Sequence, residues 1–348
     1  MRSIVNTRSV GSGMARLLQD FCDINNLKSP INHTYSVDER IPLSRWLQKL
    51  KYVDIQFKKE GLGLEIAKCC NASHIGISAY IAMSCKTLTE YVNLPKEYIT
   101  IWYDQAPKQI NILNSKIVIS WYKPDFYKAG LFVDEMDLSE ELKVAIIYQR
   151  IKQMTGIEGK IFEKIEFSRS RPKNVKLYEL YFNCPILFDK DKTSLIIYKD
   201  VYDVPFKTED RILFEILKKQ ADIMLHNMPC NVTFVDIVCQ YIIRAMRAQD
   251  PRINVVAEYL NMSPRALQNK LKEYGLCFKD LLSKVRLVLA KQYLKDSEIS
   301  IVEISTILGY KEQTSFNRSF KNWTGESPVQ WRDNNVSDSN ESVDIYCI

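Results

Sequence analysis

INVVAEYLNMSPRALQNKLKEYG, residues 253–275, is the stretch that decides the fold. Within it Val256, the small Ala257 and Leu260 form an apolar stripe on a short helix. Asn261 ends that helix, because asparagine tolerates the left-handed backbone of a tight turn. Ser263 is a good N-cap, and Pro264 follows at the first helical position, where a missing N–H costs nothing. A second helix therefore starts there, with Leu267, Leu271 and Tyr274 recurring at i, i+4 and i+7 and pointing at the first helix. Its opposite face carries Arg265, Gln268, Asn269 and Lys272. Those side chains hold the donors and acceptors that read base edges and phosphates when a helix lies in the roughly 12 Å wide major groove of B-DNA.

The pattern returns about 48 residues further on, from Asn261 to Gly309, and this echo is far more specific than one helix-turn-helix match. Residues 304–332 read ISTILGYKEQTSFNRSFKNWTGESPVQWR. Ser305 takes the place of Ala257, and Gly309 takes the turn position, supplying positive φ at no steric cost. The turn is one residue longer in this copy. Phe316, Phe320 and Trp323 make the inward stripe, and Gln313, Thr314, Asn317, Arg318 and Lys321 fall on the outward face. Between the two units Phe278, Leu281, Leu282, Val285, Val288, Leu289 and Tyr293 keep helical spacing, which predicts one long connecting helix. Such a rod is expected to space the two outward helices by about the 34 Å of one DNA turn, so that one monomer reads two successive major grooves.

These residues carry a family resemblance: residues 231–332 closely resemble the DNA-binding domain of the AraC/XylS transcription regulators. The signature around the second unit is matched by Gly309, Tyr310, Phe316, Arg318, Phe320, Lys321, Gly325, Ser327 and Pro328. The resemblance implies base and phosphate contacts by Arg265, Gln268 and Asn269 in the first unit, and by Gln313, Thr314, Asn317 and Arg318 in the second. It also implies double-stranded DNA and RNA polymerase as partners. Two departures stand out. Asn269 occupies a position where arginine is usual, which suits adenine better than guanine. Ser305 replaces the usual alanine and is nearly as small, so the packing is expected to survive.

Residues 14–226 mix helices with short strands, which predicts an α+β regulatory domain ahead of the all-α C-terminal domain (232–333). Strands are expected at 109–113, 116–121, 161–167 and 194–198, each rich in β-branched or aromatic residues. Helices are expected at 42–50, 139–154, 172–182 and 208–226. Residues 1–13 read as a flexible leader, 227–231 as a linker and 334–348 as a disordered tail. This N-terminal part resembles, more loosely, the arabinose-binding-like domain of the AraC-family branch typified by ornithine-utilisation regulators. The matching stretches are Gly61-Leu62-Gly63-Leu64, residues 75–91 with Gly76, Thr87 and Leu88, residues 178–188 with Asn183-Cys184-Pro185, and residues 195–205. The resemblance implies control of DNA binding by a small-molecule effector, by pairing of two copies through this domain, or by both. It does not make arabinose or any sugar the ligand. The aromatic group Trp102, Tyr103, Trp121, Tyr122, Phe126 and Tyr127 is read as ordinary packing ahead of a site for a planar ligand.

Composition fits this reading without proving it. The net charge of +6, from 48 basic and 42 acidic residues, is a mild excess shared by ordinary enzymes. Nine cysteines without regular spacing read as reduced, mostly buried thiols of a cytoplasmic protein. With three histidines scattered along the chain, neither structural zinc nor any other cofactor is expected. No apolar stretch approaches the roughly 20 residues that span a bilayer, so no membrane association is expected. Catalytic motifs are missing too. Gly156-Ile157-Glu158-Gly159-Lys160 has the wrong spacing for a phosphate loop, and Gly11-Ser12-Gly13 precedes no third glycine. An alkyl-transfer repair enzyme carrying a DNA-binding module needs a reactive cysteine in a basic setting and zinc-ligand spacing; neither is present. A ligand-independent architectural protein is the other competing class, separable by a reporter comparison with a truncated chain.

Overall fold

In a computed structural model, the structure describes residues 8–37, 39–95, 97–104, 109–113, 116–128, 130–227 and 234–336. The chain divides into two compact units. The N-terminal unit comprises Arg8–Pro124 and Asp134–Pro229; the other unit gathers Asp125–Val133 together with the C-terminal helices.

The N-terminal unit is α+β, as expected. In chain order it holds β1 (Ser9–Gly11), α1 (Gly13–Ile24), β2 (Arg40–Pro42), α2 (Leu43–Phe57), α3 (Leu62–Lys68), α4 (Ala72–Ile75), α5 (Ile77–Ser84), α6 (Leu88–Val92), α7 (Glu97–Thr100), β3 (Tyr103–Asp104), β4 (Gln109–Leu113) and β5 (Lys116–Trp121). After α8 (Asp125–Lys128), which belongs to the other unit, come α9 (Val133–Thr155), β6 (Phe162–Glu166), α10 (Val175–Phe182), β7 (Ile186–Leu187), β8 (Thr193–Ile197) and α11 (Arg211–Asn227). A small antiparallel sheet has the order β2-β1-β3, and a larger one has the order β4-β5-β8-β6-β7. Only the β6–β7 pairing of these ladders is parallel. The four expected strands appear as β4, β5, β6 and β8, because a β-branched run flanked by turn residues has few other stable solutions.

Helix α9 runs through the core, with Leu142, Val144, Ala145 and Ile146 fully buried. Three of its charged residues, Glu140, Glu141 and Lys143, are buried as well, and each has partners, as buried charge requires. Glu140 accepts a hydrogen bond from Trp121 Nε1 at 2.8 Å and pairs with Lys123 at 3.0 Å. Glu141 accepts from the Gly63 N–H at 2.8 Å, from Arg169 at 2.7 Å and from the Tyr178 hydroxyl at 2.7 Å. The Lys143 ammonium lies 3.7 Å over the Trp121 ring. One residue from each of two stretches singled out by the resemblance, Gly63 and Tyr178, therefore meets on the same α9 carboxylate.

The second unit is all helical: α8, then α12 (Phe234–Arg247), α13 (Ile253–Tyr259), α14 (Pro264–Glu273), α15 (Phe278–Leu294), α16 (Ile301–Ile307), α17 (Gln313–Thr324) and α18 (Pro328–Val336). Helix α15 is the expected long connector; at about 1.5 Å per residue its 17 residues span roughly 25 Å.

Four boundary expectations need correction. Residues 9–13 are not a leader: Ser9–Gly11 pairs on both sides in the small sheet, and Gly13 opens α1. The segment Asp125–Val133, expected inside the regulatory domain, packs in the C-terminal unit, where Phe126 and Leu131 are buried and Gly130 abuts the Tyr293 ring. The expected linker overlaps α11 at Asn227, and its residues 228–231 lie outside the described residues, as do 1–7. The expected start of the tail at 334 falls inside α18, which continues to Val336; residues 337–348 lie outside the described residues.

Candidate nucleic-acid interface

Each helix-turn-helix is built as its sequence requires. In the first, Asn261 adopts φ 52°, and the Ser263 hydroxyl accepts the Ala266 N–H at 3.2 Å with Pro264 next to it. That cap contributes about 1 kcal/mol to α14. Val256, Ala257, Leu267 and Leu271 are fully buried where α13 meets α14. Burying the two leucines contributes roughly 1.5–3 kcal/mol each, which orients the rest of α14 without any help from its polar face. Arg265, Gln268, Asn269 and Lys272 are all exposed on that face. Tyr274 departs from the expected inward stripe. The helix ends at Glu273, so Tyr274 swings out to half exposure and stacks on Phe234 at 6.2 Å.

In the second unit Gly309 takes φ 70°, and a Cβ there would sit 3.1 Å from Pro251 Cγ, so both conformation and space favour glycine. Ser305 is buried, and its hydroxyl donates to the Val302 carbonyl oxygen at 2.7 Å, which satisfies the polar group that replaces the usual methyl. Phe316 and Phe320 are fully buried and 5.7 Å apart. Trp323 is only half-buried; the edge of Phe320 is covered instead by Trp331 of α18, 6.1 Å away and nearly perpendicular. On the other face Thr314, Arg318 and Lys321 are exposed and Gln313 and Asn317 are half-buried. The Thr314 hydroxyl lies 3.3 Å from the Glu312 carboxylate, and Asn317 Oδ1 is buried without a hydrogen-bond partner.

Sequence patterns missed the residue that ties the second turn to the long helix. Arg286 on α15 donates from Nε to the Leu308 carbonyl and from Nη2 to the Gly309 carbonyl, both at 2.9 Å, and its guanidinium lies 4.1 Å over the Tyr310 ring. It thus satisfies the free carbonyls at the end of α16 and places positive charge at the helix C-terminus. Burial lowers its pKa from the usual arginine value, an effect the neighbouring Tyr310 opposes. Arg332 acts likewise, donating to the carbonyls of Leu294 at 3.1 Å and Ile299 at 2.7 Å. A basic residue on an outward-turning position of α15 is a signal, but its partners are backbone atoms 22 and 23 residues away, which no side-chain pattern reveals.

The expected aromatic group does not form one site. Trp102, Tyr103 and Trp121 are buried in the N-terminal unit, Tyr122 is exposed, and Phe126 and Tyr127 belong to the other unit. Among the described residues no cluster of three or more histidine, cysteine or acidic side chains could hold a metal ion. Among them, too, no helix is long and apolar enough to cross a membrane.

Comparison with known proteins gives the same partition. A family model described as the arabinose-binding domain of AraC transcription regulators matches residues 33–206, and a helix-turn-helix domain model matches residues 256–334. A model of the bacterial regulatory protein Fis family also matches residues 236–274. An uncharacterised HTH-type transcriptional regulator of Mycobacterium bovis is 21% identical over 282 residues, 78% of each chain. The ornithine utilization regulator of Pseudomonas aeruginosa is 23% identical over 170 residues, 49% of this chain and 50% of that one. Among solved structures, the transcriptional regulator CdpR of P. aeruginosa aligns over 92% of this chain and 98% of its own, with 18% identity and a TM-score of 0.46. With half its length matched by one family model and its C-terminal helices by another, the chain belongs to the AraC family of transcription regulators, which are not enzymes, and carries an arabinose-binding-type N-terminal domain ahead of its helix-turn-helix region.

Proposed function

We propose that the chain binds operator DNA through both outward faces, α14 and α17 each entering one of two successive major grooves. The observation that carries this is the division of labour on each helix: Leu267 and Leu271, and Phe316 and Phe320, are fully buried, while Arg265, Gln268, Asn269, Lys272, Thr314, Arg318 and Lys321 stay exposed. Arg265, Gln268, Asn269, Gln313 and Asn317 supply hydrogen-bonding groups suited to base edges, with Asn269 and Asn317 matched to adenine. Lys272, Thr314, Arg318 and Lys321 supply phosphate or base contacts. The unpartnered Oδ1 of Asn317 supports a role for that amide, because an orphaned buried acceptor costs free energy that a donor on a base edge would recover.

The N-terminal unit modulates this binding by taking up a small molecule, by pairing two copies, or both. Pairing is supported by α11, where Ile212, Ile216, Lys219 and Ile223 keep i, i+4, i+7, i+11 spacing, with one lysine among three isoleucines. Ile212, Ile216 and Ile223 on that stripe are 77%, 59% and 53% exposed, as a coiled-coil seam is before its partner arrives. RNA polymerase, contacted from the DNA-bound state, completes the set of partners.

The test is an operator selected from random DNA by the protein itself. Gln313→Ala should relax discrimination at one base position by about 1–3 kcal/mol. Arg318→Ala should lower affinity for operator and random DNA together and flatten the salt dependence. Equal losses on both DNAs for Gln313→Ala and for Gln268→Ala on α14 overturn the base-reading assignment.

A further inference from the structure

Within the N-terminal unit a cavity of about 70 Å³ lies among α5, α6, β5 and α9. Its wall is almost wholly apolar, with Ala79, Leu88, Trp102, Ile119 and Ile146 among the lining residues. Arg150 of α9 is the one charged residue in that lining. The same arginine borders a larger surface cleft formed with Lys68, Asn71 and Gln153.

Arg150 is under-partnered for its position. Its Nη2 donates to the Cys70 carbonyl oxygen at 3.0 Å, and its Nε is buried with no hydrogen-bond acceptor. Among the described residues none of the ion pairs includes it. The groups nearby do not supply the missing charge. The Cys70 thiol is pushed up to about 12, chiefly by burial, and so stays neutral, and burial lowers the pKa of His74. A half-buried guanidinium with an orphaned donor and no ion-pair partner is costly, and an arriving carboxylate reduces that cost while an apolar tail fills the cavity.

We propose that this cavity is the effector site and that it takes a short aliphatic carboxylate, its acid group on Arg150 and its hydrocarbon tail among the isoleucines, alanines and Trp102. An apolar cavity of about 150 Å³ takes benzene, so one of this size holds about three or four non-hydrogen atoms, the hydrocarbon tail of a four- or five-carbon acid whose carboxylate lies on Arg150. The lining also says what is refused. No acidic side chain is present to meet an ammonium group, so an α-amino acid is disfavoured. A sugar would bring several hydroxyls to a wall whose Ser78 hydroxyl already donates to the Tyr98 carbonyl at 2.6 Å. The proposal rests on the reading of the N-terminal unit as a sensor, and it names the chemistry that the sensor detects.

Isothermal titration of the full-length protein with butanoate, 3-methylbutanoate, 3-methylbutanamide, valine and arabinose tests the site. The two carboxylates should bind, with the neutral amide, valine and arabinose at least tenfold weaker. Arg150→Gln should abolish the preference for acid over amide. Ala79→Leu, which keeps the arginine and fills the cavity, should weaken carboxylate binding tenfold or more, and it decides the matter should Arg150→Gln fail to fold. Amide binding equal to acid binding, or carboxylate binding untouched by Ala79→Leu, overturns the proposal. Binding of neither butanoate nor 3-methylbutanoate does the same. Fluorescence anisotropy on the selected operator, with and without 3-methylbutanoate, reads the sensor assignment separately. Carboxylate binding with unchanged DNA affinity supports the site and overturns the sensor.

Discussion

Replacing Arg286 by alanine tests whether the second helix-turn-helix is held in place by the long helix rather than by its own turn. The change removes two hydrogen bonds of 2.9 Å to the carbonyls of Leu308 and Gly309 and a cation lying 4.1 Å over Tyr310. Hydrogen bonds from a charged donor contribute about 1.5–3 kcal/mol each, and a partly buried cation–π contact about 0.5–2 kcal/mol. The site is half-buried and water reaches the freed carbonyls in part, so each contribution falls slightly below the lower end of its range and the loss comes to about 3 kcal/mol. Since each 1.4 kcal/mol is a factor of ten, opening of α16 and α17 should become about a hundredfold easier. Hydrogen exchange of the full-length protein, followed in peptides covering 301–324, reads this directly. Protection there should fall by about two decades, while peptides from α9 and α13 keep theirs. Arg286→Lys should recover the charge but not the fork of two donors, and so rescue only part of the loss. Protection of α16 and α17 within threefold of the parent protein would refute the reasoning.

Two further predictions concern the N-terminal unit. His74 is 5% exposed, its Nδ1 accepts the Asn71 N–H at 3.1 Å and its Nε2 lies 2.9 Å from Asp20, an arrangement that fits the neutral ring. Burial, only partly offset by Asp20, holds its pKa below the ordinary value of about 6.5. The unfolded chain therefore takes up the proton first, so the stability contributed by the neutral ring is complete above about pH 6.5 and is lost as pH falls through the folded-state value. In urea denaturation the gap between the parent protein and His74→Gln should narrow from pH 7.5 to pH 5; a constant gap contradicts the assignment. Gly13→Ala places a Cβ 2.1 Å from the His74 carbonyl oxygen, a backbone atom that cannot turn aside. Overpacking of this kind costs about 1–3 kcal/mol, and at about 2–4 °C per kcal/mol for a unit of this size the first thermal transition should drop by about 5–10 °C. An unchanged transition would show that α1 and α4 are free to separate.

Much of the C-terminal unit was legible because its signals are local. Asn261, Ser263 and Pro264 specify a stop, a turn and a start within four positions, and the structure follows them, with φ 52° at Asn261 and the cap hydrogen bond at Ser263. Stripe counting failed at the helix ends: Tyr274 lies one residue beyond α14, and Trp323 in the last turn of α17 yields its place to Trp331. Features made by distant parts of the chain stayed hidden. Gly11-Ser12-Gly13 reads as flexible in isolation, yet Gly13 is needed because α1 crosses the His74 backbone. The segment Asp125–Val133 has the composition of its sequence neighbours, and only the packing of Phe126 and Leu131 assigns it to the helical unit. The buried charges of α9 broke the amphipathic pattern without revealing their partners, since Glu141 collects its three donors from residues 63, 169 and 178.

The central claim is that α14 and α17 of one chain enter neighbouring major grooves. Hydroxyl-radical and methylation footprinting of the selected operator, run with the parent protein, Gln268→Ala and Gln313→Ala, measures it most directly. The account predicts two protected patches on one face of the duplex, about 10 base pairs apart, with each substitution weakening only its own patch. A single patch, or two that fade together whichever helix is altered, would contradict it.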